Sequence, residues 1–337
     1  VEFVLRGSRI SGSGMNVPER IVRNDYFASY LETSDEWIKD RTGIEERRWA
    51  SESVSASELA EPASRRAIKN AGLEPNDIDA IICATVTPDN IFPSTACMLQ
   101  GRLGCSGALA FDINAVCSGF VYALGIAHGL ITSGQCSKVL VVGSELYSRI
   151  IDKNDRTTSV LFGDGAGAVV LTATDKTPEH GSKDIPGIIA SRLGADGTHA
   201  DILCVPNGSA HQPTPESLKE GKHYLRMAGR EVFKLAVRRL AEINRDIVES
   251  SGFSLSDVNL FVSHQANKRI LLSVAKDLGL PEEKFPMNIA KYGNTSAASV
   301  PILLAELELE GRLKKGDLVA LSAFGGGVTW GAQLIRW

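Results

Sequence analysis

The feature that most constrains this chain is a repeat. When AGLEPNDIDAIICA (71–84) is laid over SGFSLSDVNLFVSH (251–264), Gly72 meets Gly252, Asp77 meets Asp257 and Ile78 meets Val258, all in one register. Each segment ends a helix at a glycine, turns, and starts an apolar strand. The match continues downstream. Asp77 is followed by Cys117, and Asp257 by Asn294, after spacings of 40 and 37 (117 − 77 and 294 − 257). Cys117 leads to Val139 and Asn294 to Leu318 after spacings of 22 and 24 (139 − 117 and 318 − 294). On this reading Cys117 and Asn294 occupy nearly the same place in two copies of one unit. His264 ends the strand of the second copy, where Ala84 stands in the first. A repeat is a structural statement first. It implies a pseudo-two-fold arrangement in which two central helices point their N-termini at one site. The expected boundary lies in the polar stretch TATDKTPEHGSKDIPG (172–187), giving halves 1–175 and 176–337.

Strand-like and helix-like segments alternate, which points to an α/β fold with buried sheets. The apolar β-branched runs are 79–86, 138–145, 166–173, 258–264 and 317–324; the helix-like stretches are 56–72, 119–134 and 230–252. With 337 residues, 43% of them apolar, the chain can bury two cores or one large duplicated one. The balance of 36 basic against 40 acidic residues argues against a nucleic-acid binder driven by bulk charge. Six cysteines without CxxC spacing do not make a disulfide framework, and six histidines without HxH or HExxH spacing predict no metal site. Neither a leader pattern nor an apolar run long enough to span a membrane is present. The expectation is a soluble protein of a reducing cytoplasm.

Three short segments carry the chemistry. In FDINAVCSGF, Cys117 sits where a strand gives way to a buried helix. A thiol there faces unpaired N–H groups and the positive end of the helix dipole, which favours the thiolate and makes a nucleophile without a strong base. Packing is the usual role of a lone cysteine. His264 ends a strand in SHQAN, and Asn294 opens a helix in GNTSAAS, where it also reads as a plain N-cap. Two glycine runs need placing. GDGAGA (163–168) lacks the GxGxxG spacing between strand and helix, and reads as close backbone packing. FGGGVTWG (324–331) is either a tight hairpin turn or a turn whose N–H groups form an oxyanion hole.

Together these segments resemble the β-ketoacyl-acyl-carrier-protein synthase III family of thiolase-like condensing enzymes. The resemblance runs nearly end to end, through TSDEWIKDRTGIEER (33–47), IFPSTACMLQGRLG (91–104), FDINAVCSGFVYAL (111–124), DRTTSVLFGDGAGAVVL (155–171), HQANKRI (264–270), YGNTSAASVP (292–301) and AFGGGVTWGAQL (323–334). It implies a duplicated thiolase-like fold, layered αβαβα, with two mixed sheets around central helices, as a homodimer. It also implies a catalytic set of Cys117, His264 and Asn294, with no metal or cofactor. The implied reaction is a ping-pong condensation of an acyl-CoA starter, acetyl or another short chain, with malonyl-acyl-carrier protein. The product is 3-ketoacyl-acyl-carrier protein, which initiates type II fatty-acid synthesis.

The resemblance assigns further roles. Backbone N–H groups of Cys117 and Gly326 would form the oxyanion hole, and Phe324 would lie against the thiol. Trp37 and Arg156 would sandwich the CoA adenine, with Arg41 on its phosphates. Thr33, Gly229, Phe233, Ala266 and Asn267 would line the pantetheine tunnel. Phe92 would close the acyl pocket of the partner subunit, and Lys234, Lys268 and Arg269 would receive the acidic carrier protein. Four positions depart from the family pattern: Arg230, Asp277, Lys291 and Tyr292. The competing readings are a relative in secondary metabolism with another starter or plain acyltransferase activity, and a non-catalytic dimeric scaffold, which would need none of Cys117, His264 and Asn294.

Overall fold

A computed structural model describes residues 6–175 and 185–337. Among them, nine strands form two mixed sheets. The first contains β1 (Gly7–Asn16), β2 (Ala80–Ala84), β3 (Leu109–Ile113), β4 (Lys138–Leu146) and β5 (Asp164–Thr174), in the order β1-β5-β4-β2-β3. The second contains β6 (Gly187–Ala195), β7 (Leu260–Ser263), β8 (Leu318–Gly325) and β9 (Thr329–Arg336), in the order β6-β9-β8-β7. The pairings follow one scheme. β2 runs parallel to β4, and β4 antiparallel to β5. Likewise β7 runs parallel to β8, and β8 antiparallel to β9. Ala80 pairs with Val139 and Leu260 with Val319, so both partners of the second pair stand at the repeat offset from those of the first. The linker placed at 175/176 by sequence adjoins residues 176–184, which lie outside those described.

Period-two alternation explains the layering. In β2, Ala80, Ile82 and Ala84 face a central core, while Ile81 and Cys83 face an outer one; β4 divides Val139 and Val141 from Leu140 and Val142 in the same way. The central core is filled by α4 (Gly119–Thr132) and α7 (Ser299–Leu309). Both helices are apolar nearly all round, which suits a helix held between two sheets. Amphipathic α2 (Ala56–Asn70) and α3 (Thr95–Leu103) cover the first sheet, and α5 (Gly229–Ser250) and α6 (Lys268–Leu278) cover the second. A capping box, Ser55 with Glu58, starts α2. Short α1 (Asp35–Thr42) is capped by the Ser34 hydroxyl. The result is a thiolase-like α/β fold, with GDGAGA (163–168) forming the closely packed start of β5. A Cβ on Gly167 would sit 2.6 Å from the backbone nitrogen of Ile302 in α7.

The repeat is real, but one sequence pairing shifts. Matching tight turns precede the central helices, Val116–Ser118 before α4 and Ser296–Ala298 before α7. Val116 and Ser296, related by the repeat offset, share the left-handed backbone (φ 48° and 50°), a costly conformation for residues with a Cβ. Cys117 therefore corresponds to Ala297, and Asn294 to Asn114, three positions away from the pairing that the sequence suggests. The unequal spacings of 40 and 37 carry the same shift.

Candidate active site

The two turns meet. A Cβ on Gly143 of β4 would lie 2.5 Å from the Ala297 carbonyl oxygen, and one on Gly325 would lie 2.7 Å from the Cys117 nitrogen. Only bare backbone allows such approaches. They bring Cys117, His264, Asn294 and Phe324 to one buried cavity of about 100 Å³, with Tyr147, Phe162 and Leu203 in its wall. Cys117 and Asn294 are each 5% exposed and His264 2%.

Each polar group has one end fixed. The Asn294 N–H donates to the Leu161 carbonyl at 2.8 Å, and its carbonyl accepts from the Gly163 N–H at 3.0 Å. Its side-chain Oδ1 accepts from the Ser296 N–H at 2.8 Å, which leaves the Nδ2 donors for the cavity. His264 Nδ1 lies 2.6 Å from Ser299 Oγ, and that oxygen also accepts from the Gln265 N–H at 3.3 Å. With the Ser299 proton directed at Nδ1, the imidazole carries its own proton on Nε2. Burial lowers the His264 pKa to about 3, so the ring is neutral at physiological pH.

Cys117 departs from the sequence expectation. Burial first, and then the Glu145 carboxylate, push its thiol up to about 12, against the opposing influence of the nearby Ser296 and Tyr147 hydroxyls, which would favour a thiolate. The helix terminus alone does not leave a resting thiolate. Glu145, Tyr147, Ser296 and Ser299 were not read from the sequence as site residues. The available signal was a glutamate inside the apolar run KVLVVGSE, where a carboxylate must be buried with partners.

An outer cavity of about 590 Å³ joins the inner one; Leu161, Met227, Gly229, Phe233 and Asn267 line both, and Ala266 lines the inner one. At its mouth the Arg156 guanidinium lies 4.8 Å from the Trp37 ring centroid and that of Arg41 5.9 Å. Arg230, Lys234 and Arg269 complete a rim of five cations without a lining carboxylate. One expected tunnel residue falls elsewhere. Thr33 lines neither cavity; its hydroxyl is buried in the bend before α1 without a hydrogen-bond partner. Lys268, expected on the carrier-protein surface, is exposed, with its stem packed on Gly43, where a Cβ would be 2.5 Å from the lysine Cβ. Gly326 sits in the β8–β9 hairpin next to Gly325, so the glycine run makes a hairpin turn that also abuts the thiol backbone. Phe92 is 84% exposed and touches neither cavity of its own chain. Lys291, Tyr292 and Asn288 all bind Glu306 of α7, at 2.9, 3.2 and 2.9 Å, which gives the two unusual residues before Asn294 a bracing role. Asp277 is exposed at the end of α6.

A buried thiol, two neutral donors and a long cationic entrance describe an acyl-transfer enzyme that works on a thioester with a charged tail. Comparison with known proteins narrows this class. Family descriptions of 3-oxoacyl-[acyl-carrier-protein (ACP)] synthase III match residues 111–197, and those of its C-terminal part match residues 248–337. A β-ketoacyl-[acyl-carrier-protein] synthase III from Erythrobacter litoralis is 49% identical over 97% of this chain and 98% of its own. One from Brucella melitensis is 48% identical over 98% and 99%. The crystal structure of a 3-oxoacyl-[acyl-carrier-protein] synthase III from Aquifex aeolicus superposes with a TM-score of 0.89, at 44% identity, over 98% of this chain and 100% of that one. The chain belongs to the 3-oxoacyl-[acyl-carrier-protein] synthase III family, and is a condensing acyltransferase.

Proposed function

We propose that Cys117, His264 and Asn294 carry the condensation that initiates fatty-acid synthesis. The observation that supports this most is their convergence on one mostly apolar-lined cavity that adjoins the cationic outer one. Cys117 attacks the thioester carbonyl of an acyl-CoA starter, and CoA leaves. The N–H groups of Cys117 and Gly326 hold the oxyanion; the glycine run lets that backbone approach. Malonyl-acyl-carrier protein then binds and loses CO2. His264 Nε2–H and Asn294 Nδ2–H donate to the enolate oxygen, where low dielectric makes neutral donors effective. The carbanion attacks acyl-Cys117 and releases the 3-ketoacyl product. Phe324 shields the thiol from water.

The starter is short. A dry cavity of about 150 Å³ takes one benzene, so one of about 100 Å³ admits only a few carbons. Trp37, Arg156 and Arg41 hold the CoA nucleotide, and Gly229, Phe233, Ala266 and Asn267 its pantetheine arm. Arg230 joins this rim. Lys234 and Arg269, with Lys268 beside them, receive the acidic carrier protein, without help from Asp277. Exposed Ile91 and Phe92, 97% and 84% accessible, suit a second copy of the chain whose acyl pocket Phe92 closes. Two halves, 1–175 and 176–337, and a reducing cytoplasm for the free Cys117 complete the reading.

Intact-protein mass after incubation with acyl-CoAs of increasing length tests it. One acyl group should add from short starters only, and none to Cys117→Ala. No adduct from any acyl-CoA, or an adduct that survives in Cys117→Ala, would sink the assignment.

A further inference from the structure

Glu145 has no part in the reaction just described, yet two hydroxyls lead from it toward the cavity that holds the thiol. Its carboxyl is fully buried at the end of β4. Oε2 accepts from the Val86 N–H at 3.2 Å and from Thr87 Oγ1 at 2.9 Å, with Thr85 Oγ1 at 3.5 Å. Oε1 lies 3.0 Å from Ser296 Oγ. Ser296 Oγ is in turn 3.1 Å from the Tyr147 phenol, and Tyr147 shares the wall of the inner cavity with Cys117. None of the ion pairs among the described residues involves Glu145. The titratable groups that face it are the Cys83 and Cys117 thiols and the Tyr147 phenol.

The proton positions follow from counting donors. An ionised Glu145 only accepts, so the single Ser296 proton points at Oε1. Tyr147 then donates to Ser296 Oγ, which leaves the Tyr147 oxygen free to accept from the side of the cavity that holds the Cys117 thiol. Both hydroxyl protons thus point toward the carboxylate. Ser296 is held there by its left-handed backbone and by the bond of its N–H to Asn294. Strain kept at a site is usually over-determined by its surroundings.

We propose that Glu145 takes the Cys117 proton through the hydroxyls of Ser296 and Tyr147, stores it while the enzyme is acylated, and returns it when the product leaves. In acylation the S–H bond breaks, one proton moves along each link, and Glu145 becomes a carboxylic acid as the S–acyl bond forms. CoA departs as a thiolate and takes a proton from solvent. After condensation the tetrahedral adduct expels the Cys117 thiolate, and Glu145 returns its proton along the same path. Over the cycle one proton is drawn from water and ends on CoA, which matches the charge lost as malonyl carboxylate becomes CO2. The physical need is plain: two like charges so near each other in a dry site cannot coexist, so the thiol can ionise only if Glu145 is neutralised. Burial raises Glu145 to about 7, a range in which it can both take and release a proton.

The inference rests on Cys117 being acylated, and the test separates the two. Wild type is mixed with a short acyl-CoA at pH near 7.5 in weak buffer with a pH-indicating dye. Acyl-enzyme is counted by mass in the same sample. Storage in the protein predicts a transient burst of proton uptake, up to one per acyl group formed, during acylation, and a new protonated-carboxyl infrared band that shifts on isotopic labelling of glutamate. The band should be missing in Glu145→Gln, and acylation of that variant and of Ser296→Ala should slow about 100-fold, within the range for a lost general base. Acyl-enzyme formed with no proton uptake and no band would overturn the relay while leaving Cys117 as nucleophile. Because uptake and band are read on wild type, a variant that fails to fold does not blunt the test.

Discussion

Replacing Glu145 with Gln removes the only ionisation at that position, so its effect on stability must change with pH. Burial raises the folded-state pKa from 4.5 to about 7, while the unfolded chain titrates near 4.5. The folded state then binds the proton more tightly, and wild type loses stability as pH rises from 4.5 to 7. The shift of 7 − 4.5 = 2.5 units, at ~1.36 kcal/mol each, is about 3 kcal/mol. Gln escapes this loss but carries a constant one. Both Glu145 oxygens accept hydrogen bonds, so an amide NH2 must oppose a donor on one side, at a cost of about 1–3 kcal/mol. Glu145→Gln should therefore be the less stable protein at pH 4.5 and should recover about 3 kcal/mol relative to wild type by pH 8. His264 acts in the other direction. Its folded pKa of about 3 lies below the unfolded value of 6.5, so stability is lost as pH falls below 6.5. That loss is common to both proteins and cancels in the difference. Urea unfolding followed by tryptophan fluorescence, at half-unit pH steps from 4.5 to 8, measures it. A difference that stays flat across this range would refute the buried-carboxylate argument.

Ser299→Ala removes the hydroxyl that fixes the His264 tautomer. Decarboxylation of the malonyl thioester should fall about tenfold or more, as for a weakened oxyanion donor, while acylation of Cys117 stays within a few-fold. An equal fall in both half-reactions would mean that Ser299 acts on the turn and not on the ring. Trp37→Ala should raise KM for the acyl-CoA about tenfold by removing the face against which Arg156 stacks, with kcat little changed. A fall in kcat with unchanged KM would remove Trp37 from the nucleotide site.

The architecture was legible because the sequence writes it twice, at one offset, in residues whose periodicity is unambiguous. The strands β2, β4, β7 and β8 are continuous apolar runs, buried on both faces. The strands β1 and β6 were not read, since GSRISGSGMN and GIIASRLGA mix glycine, serine and arginine and lean on neighbours for their pairing. Cys117, His264 and Asn294 were legible as polar groups at the tips of apolar elements. Glu145 and Tyr147 were not, because the end of an apolar run resembles the start of a turn; only packing shows that the strand keeps going inward. Thr33 stands off both cavities for a related reason. Trp37, four residues on, lines the entrance, but the direction of each side chain is set by local packing.

The paired turns at Val116 and Ser296 also set when the site can exist. Cys117 lies in the first half of the chain, and His264 and Asn294 lie deep in the second. Contacts this distant in sequence form late, after the closure of long loops has been compensated by packing. Neither turn can seat alone: Gly143 of the first sheet receives Ala297, and Gly325 of the second receives the Cys117 backbone. The thiol is thus open to solvent until each sheet has accepted the other's helix. A newly made chain gains its reactive centre and its protection from stray oxidants in one event, the final meeting of two frames.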